Sequence, residues 1–169
     1  MTFAVIGLSM FAGSAVAQEM PKPGAEHEKL KAFEGNWEAV IKFAGQEMKG
    51  ECAWKMEMNG MHLTSNFTGD FGGMKFEGKG TTSYCPIRKK YISTWMDNMT
   101  PTPMVMDGKF EDDKTFTESG EGPNQQQKIV KQKSKTVWKD KDTMTMTMWE
   151  VGEDGKETET MTITYTRKK

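Results

Sequence analysis

Histidine and cysteine are scarce in this chain, two of each among 169 residues, and that scarcity removes most site chemistries at once. A structural zinc site needs several such ligands at short spacing, and Cys52 and Cys85 stand far apart. "HEKLK", from His27, begins like a zincin motif, but Lys31 occupies the position of the second histidine. A Ser/His/Asp apparatus would have to use His27 or His62, and no G-x-S-x-G elbow accompanies either. No excess of one charge is present: the net charge is -1 with 28% charged residues, which argues against nucleic acid or an anionic membrane as partner. Beyond the first twenty residues no apolar run is long enough to span a bilayer. "GMKFEGKG", Gly73 to Gly80, nearly matches a phosphate-binding loop, yet Gly80 replaces the hydroxyl residue and the segment alternates like a strand.

What the chain does contain begins with an apolar stretch, Phe3 to Ala12, followed by small residues ending Ala15-Val16-Ala17. This is the pattern of an export signal over residues 1–17, with processing before Gln18. A positive segment ahead of the apolar stretch is missing, so the expectation is either a start of translation upstream or a weak signal. Residues 18–24 form an extended leader, and 25–169 a single domain, exported to a periplasmic or secreted location. An oxidising compartment permits a disulfide, but Cys52 and Cys85 fall on strands two apart, roughly 9–10 Å by strand spacing. A bridge needs Cα atoms within about 7 Å.

Ala25 to Phe33 reads as one short helix: Pro23 and Gly24 precede it, acidic residues fill its first turn, Leu30 and Phe33 share a face, and Gly35 stops it. From Trp37 onward, short segments rich in Thr, Val, Ile and aromatic residues alternate with turn clusters. Asn59-Gly60 marks a two-residue hairpin turn that would pair Met58 with Met61, Met56 with Leu63, Trp54 with Ser65 and Cys52 with Phe67. Glu57 and His62 would meet as an ion pair on the other face. A turn at Asp154-Gly155 would pair Met148 with Met161, Met146 with Ile163 and Met144 with Tyr165. Thr147, Thr145 and Thr143 would then face Thr162, Thr164 and Thr166. The strict alternation of "TMTMTMW", Thr143 to Trp149, thus sorts methionine to an inner face and threonine to an outer ladder. Trp37, Ala39, Ile41 and Phe43 sort inward likewise, as do Met74, Phe76, Gly78, Gly80, Thr82 and Tyr84. With further strands at Tyr91–Asp97, Met104–Phe110, Thr115–Gly120 and Lys128–Trp138, the chain is expected to be all-β. An antiparallel up-and-down barrel of about ten strands would remove its own edges.

"GNW", Gly35-Asn36-Trp37, after a short helix and at the first strand, resembles the Gly-x-Trp signature of the calycin superfamily of lipocalins and fatty-acid-binding proteins. That resemblance implies that a basic residue on the last strand, here Arg167, stacks on Trp37 while the helix closes one end of the barrel. Four segments, "MPKPGAEHEKLKAFEGNWE", "FEGKGTTSYCPIRKKYISTWMDNM", "GKFEDDKTFTESGE" and "MTITYTRKK", resemble the exported bacterial family called domain of unknown function 1579. The likeness runs from about Met20 to the C-terminus. It implies a calycin-like barrel and carries over no catalytic residue.

The interior is the remaining candidate for function. Ten strands enclose more space than wall side chains readily fill. Gly50, Ser65, Gly69, Gly78, Gly80, Thr82, Gln132, Ser134 and Thr136 join methionines and aromatics on the inner face. Small and polar residues among adaptable methionines suit a pocket for a small hydrophobic or amphipathic ligand, lined by Trp54, Trp95, Met144, Met146, Met148 and Met161. The alternative is a barrel packed solid, its glycines relieving curvature. Three rival functions stay open. Met56, Met58, Met61, His62 and Trp54 near one hairpin could serve Cu(I), although the register puts His62 across the sheet from the methionines. An enzyme would need a titratable group inside; Asp97, beside Trp95 and Arg88, and Glu159 are the acidic candidates. A purely structural envelope protein is the third. Neither a catalytic residue, a resident metal nor a cofactor is expected.

Overall fold

The computed structural model describes residues 21–124 and 126–169, so the expected signal segment lies outside the described residues. Helix α1 (Ala25–Leu30) precedes ten strands: β1 (Gly35–Phe43), β2 (Gln46–Glu57), β3 (His62–Phe71), β4 (Met74–Cys85), β5 (Lys90–Asp97), β6 (Met104–Asp112), β7 (Thr115–Pro123), β8 (Ile129–Asp140), β9 (Thr143–Val151) and β10 (Glu157–Arg167). Each strand pairs antiparallel with its chain neighbours, and β10 pairs with β1 to close the barrel. Closure leaves no open sheet edge, which is how an up-and-down sheet avoids edge-to-edge association. No described helix is long and apolar enough to cross a membrane. Both cysteines are free thiols, Cys52 buried inside the wall and Cys85 at the end of β4.

Side-chain alternation sets the register, because a one-residue slip would turn every core residue outward. Cys52 faces Phe67, Trp54 faces Ser65 and Met56 faces Leu63 across β2 and β3. The connection is longer than a two-residue turn. The ladder ends at Glu57 and His62, and Met58 and Asn59 both take positive φ, so Met58 and Met61 belong to the turn. Met58 is therefore exposed instead of inward. Glu57 and His62 are cross-strand neighbours, but the ion pair is absent. Glu57 pairs with Lys55 at 3.4 Å, and the His62 ring lies 2.5 Å from the Ser83 hydroxyl on β4.

The β9–β10 hairpin pairs Met148 with Met161, Met146 with Ile163 and Met144 with Tyr165, with the threonines opposed on the outer face. The loop is wider than Asp154-Gly155 alone, since Gly152 bonds to the Lys156 carbonyl across it. A bulge at Thr160, between Glu159 and Met161, restores the pairing that places the methionines inside. Met74, at the start of β4, is 49% exposed despite its inward register.

The helix end of the barrel is a plug. Leu30 and Trp37 have no accessible surface, and Phe33, Phe116, Tyr91, Trp138 and Met144 are buried with them. Phe33 packs on Trp138 at 4.6 Å and on Phe116 at 5.8 Å, mostly edge-on, and Tyr91 joins Phe110 and Tyr84 to the same group. Edge-to-face contacts of this kind add to the burial term.

The helix is tied down by backbone acceptors. The Tyr91 hydroxyl lies 2.8 Å from both the carbonyl and a carboxylate oxygen of Glu26, its one proton shared between the two acceptors. The chain after Leu30 continues in tight turns to Glu34 and not as α-helix to Phe33. The carbonyls at this end, which no helical N–H would reach, are taken up by side chains. Trp37 Nε1 donates to Phe33 at 2.8 Å, and Arg167 donates from Nη1 to Glu34 and from Nη2 to Ala32. The Arg167 guanidinium lies 4.1 Å from the Trp37 ring centre, a cation–π contact worth about 0.5–2 kcal/mol. Gly35 has φ +120°, and a Cβ there would meet Arg167 Nη1 at 2.5 Å, so the close approach of Arg167 requires glycine.

Candidate functional site

Away from the plug, inward-facing side chains keep water-accessible surface. Met146 and Met148 on β9, Met161 on β10, Trp95 and Ser93 on β5 and Ser65 on β3 are half-buried. Their inward neighbours Ala39, Ile41 and Thr136 are 1%, 2% and 3% exposed, so strand backbone alone does not account for the difference. The register turns the methionines and serines toward the barrel axis.

The expected lining residues divide between the two halves. Met144 has no accessible surface and belongs to the plug. Trp54 stands edge-on to Trp37 and Tyr165 and tilted against Phe33, so it forms the inner face of the plug. Met146, Met148, Met161 and Trp95 lie beyond it. Trp95 is held by its Nε1–H, which donates to Asp97 at 3.0 Å. Its ring lies across β4, where a Cβ on Gly78 would come within 2.6 Å of Trp95 Cη2 and one on Gly80 within 3.2 Å of Cε3. Phe67 covers Gly50 in the same way, at 2.5 Å. These glycines therefore seat aromatic rings and do not leave empty wall.

The acidic candidates separate similarly. Asp97 accepts bonds from the Met99 and Thr100 amides and the Thr100 hydroxyl besides Trp95, which makes it the cap of the turn after β5. Arg88 is at the other end of the barrel, 3.4 Å from Asp107 on the outer wall, and does not share a mouth with Asp97. Glu159 is turned outward by the Thr160 bulge and is exposed, accepting from Thr162. The donors of the copper alternative diverge as well: Met58 is exposed in its turn, His62 is bonded to Ser83 outside, and Met56 points in. Among the described residues no group of three or more His, Cys, Asp and Glu side chains converges.

A carboxyl deep in the interior is that of Glu118, on β7 opposite Ser134 of β8 and Gly108 of β6. Ser134 donates to Glu118 Oε2 at 3.0 Å, and Ser93 of β5 bonds it from the other side. Ser93 in turn lies 2.9 Å from the Thr82 hydroxyl on β4. To reach Ser93 the glutamate must lie across β6, and Gly108 lets it: a Cβ there would meet Glu118 Cγ at 3.1 Å. Burial pushes the carboxyl above the usual glutamate range, against the lowering effect of the two serine bonds. Glu118 was recoverable from the alternation in "TFTESGEG", in which Phe116, Glu118 and Gly120 share the inner face. The residue as a whole is half-buried, whereas its carboxyl lies deep in the barrel. Other titrations in the interior are suppressed: burial raises the Cys52 thiol and the Tyr165 phenol well above their ordinary values.

Residues 22–167 match the profile of a family described as protein of unknown function (DUF1579). The chain belongs to that family. No curated protein matches it. Among solved structures, the S-type phycobiliprotein lyase of Guillardia theta is similar at 10% identity, with 85% of this chain and 93% of that one covered and a TM-score of 0.58. The likeness to this lyase is one of fold. A redesigned β-barrel, mFAP1, bound to DFHBI is similar at 14% identity over 82% of this chain and 98% of that one, with a TM-score of 0.47.

Proposed function

We propose that this family member is an exported barrel that binds a small hydrophobic or amphipathic molecule in the half of its lumen away from α1, without transforming it. The carrying observation is the accessible surface on Met146, Met148 and Trp95, side chains that face the barrel axis. Thioethers and an indole offer an adaptable apolar surface, which suits ligands of variable shape. The plug supports the same reading by closing the helix end, so that entry is at the opposite rim. There Phe43, Met48, Phe71 and Phe76 form a half-buried apolar border. Export rests on the N-terminal signal pattern. The test is uptake of an apolar fluorescent probe by Met146→Lys. A folded variant that takes up no probe supports the lumen site, and one that binds like the wild type removes it.

A further inference from the structure

The interior is electrically one-sided. Along the inward register of the described strands, carboxyl groups occur at Glu118, Asp97 and Glu150, whereas the basic residue is Arg167. Arg167 is committed to the plug, stacked on Trp37 and bonded to the carbonyls of Ala32, Glu34 and Lys141. Asp97 is occupied by its turn. Glu150 lies toward the rim away from α1, opposite Gln132, which leaves Glu118 as the acidic group deep in the lumen, with the hydroxyls of Ser93 and Ser134 beside it.

That arrangement is built. Ser93 and Ser134 hold the carboxyl from two strands, Thr82 backs Ser93, and Gly108 is the gap through which the side chain passes. A buried carboxylate without a cation is costly, and nothing in the packing of the wall demands one. A glutamine or an apolar residue would fill the same place at less cost.

We infer that Glu118, positioned by Ser93 and Ser134, anchors the protonated amine of a cationic amphiphile whose apolar part lies along Met146, Met148 and Trp95. This rests on the lumen site proposed above and names the class of its ligand. The ammonium supplies the missing countercharge and adds a charge-assisted hydrogen bond, while the methionine face selects only for apolar bulk. A carboxylate headgroup would meet Glu118 as a like charge, and an alcohol would gain only a neutral bond.

Isothermal titration of the wild type with dodecylammonium, dodecanol and dodecanoate, each below its micellar concentration, tests the inference. The expected result is at least tenfold tighter binding of the amine than of either other probe. Glu118→Gln, with near-UV circular dichroism matching the wild type, should abolish that preference, so that the amine binds no tighter than dodecanol. If dodecanol or dodecanoate binds the wild type as tightly as the amine, or the preference survives in Glu118→Gln, the anchor is overturned and the lumen site stands. If no probe binds the wild type, the lumen site fails and the anchor fails with it. The wild-type ranking decides without the variant should Glu118→Gln not fold.

Discussion

The two halves of this barrel are built from the same alternating strands and differ in what fills them. The helix half packs Trp37, Trp54, Tyr91, Phe110, Phe116 and Trp138 around Phe33, with edge contacts running from ring to ring. The other half places methionines, serines and a glutamate on the same inner face and leaves them partly accessible. Rings meet in that half too, Phe67 edge-on to Phe76 and to Trp95, but they share the inner face with flexible thioethers and small hydroxyls. Burial is thus most complete at the helix end, and the partly accessible inward side chains lie toward the other.

The largest effect should come from breaking the plug. Trp37→Ala removes a fully buried indole together with its bond to Phe33 and its stack with Arg167. Chemical denaturation should show a loss of about 3–5 kcal/mol. A loss below about 1 kcal/mol would mean that the helix end is not what holds the barrel closed.

Within one strand the comparison can be made with a single residue type. Met144→Ala, in the plug, should cost about 2–5 kcal/mol, and Met148→Ala, in the lumen half, clearly less. Equal losses would show that both halves are packed alike. Tyr91→Phe isolates the helix tether: losing the hydroxyl from Glu26 should cost about 0.5–1.5 kcal/mol. Amide exchange in α1 should rise more than in the barrel wall, and a uniform rise would refute the tether.

The smallest effect is also the most specific. Because the folded state raises the Glu118 carboxyl, it binds that proton more tightly than the unfolded chain does. The associated stability is fully present below the unfolded carboxyl range, near pH 4, and falls as pH rises through the folded value. Glu118→Gln should therefore be increasingly stabilised relative to wild type from pH 4 to pH 8 in paired melts. A difference independent of pH would place Glu118 in an unperturbed, water-filled setting.

Much of this architecture is legible in the chain, for a physical reason. Where one face is buried, the alternation of Thr143 to Trp149 admits a single register, and the observed ladder follows it. The Trp37–Arg167 stack follows from the family resemblance and is present at 4.1 Å. Turns were harder to read, since Asn59-Gly60 and Asp154-Gly155 mark where chains reverse but not how many residues join the loop. The Thr160 bulge decides the placement of Glu159: unbroken alternation from Met161 would put it inside, and one extra residue turns it out. Glu118 was obscured by its company, a glutamate among threonine, serine and glycine in "TFTESGEG" that resembles a solvated strand. The glycines were misleading in another sense. Gly78 and Gly80 look like empty wall until Trp95, from the neighbouring strand, is seen lying over them.

Native mass spectrometry of the protein taken from its host without refolding tests the central claim most directly. The account predicts a reproducible added mass of one small organic molecule, lost in Met146→Lys. A bare polypeptide mass, from wild type kept throughout in gentle conditions, would contradict it.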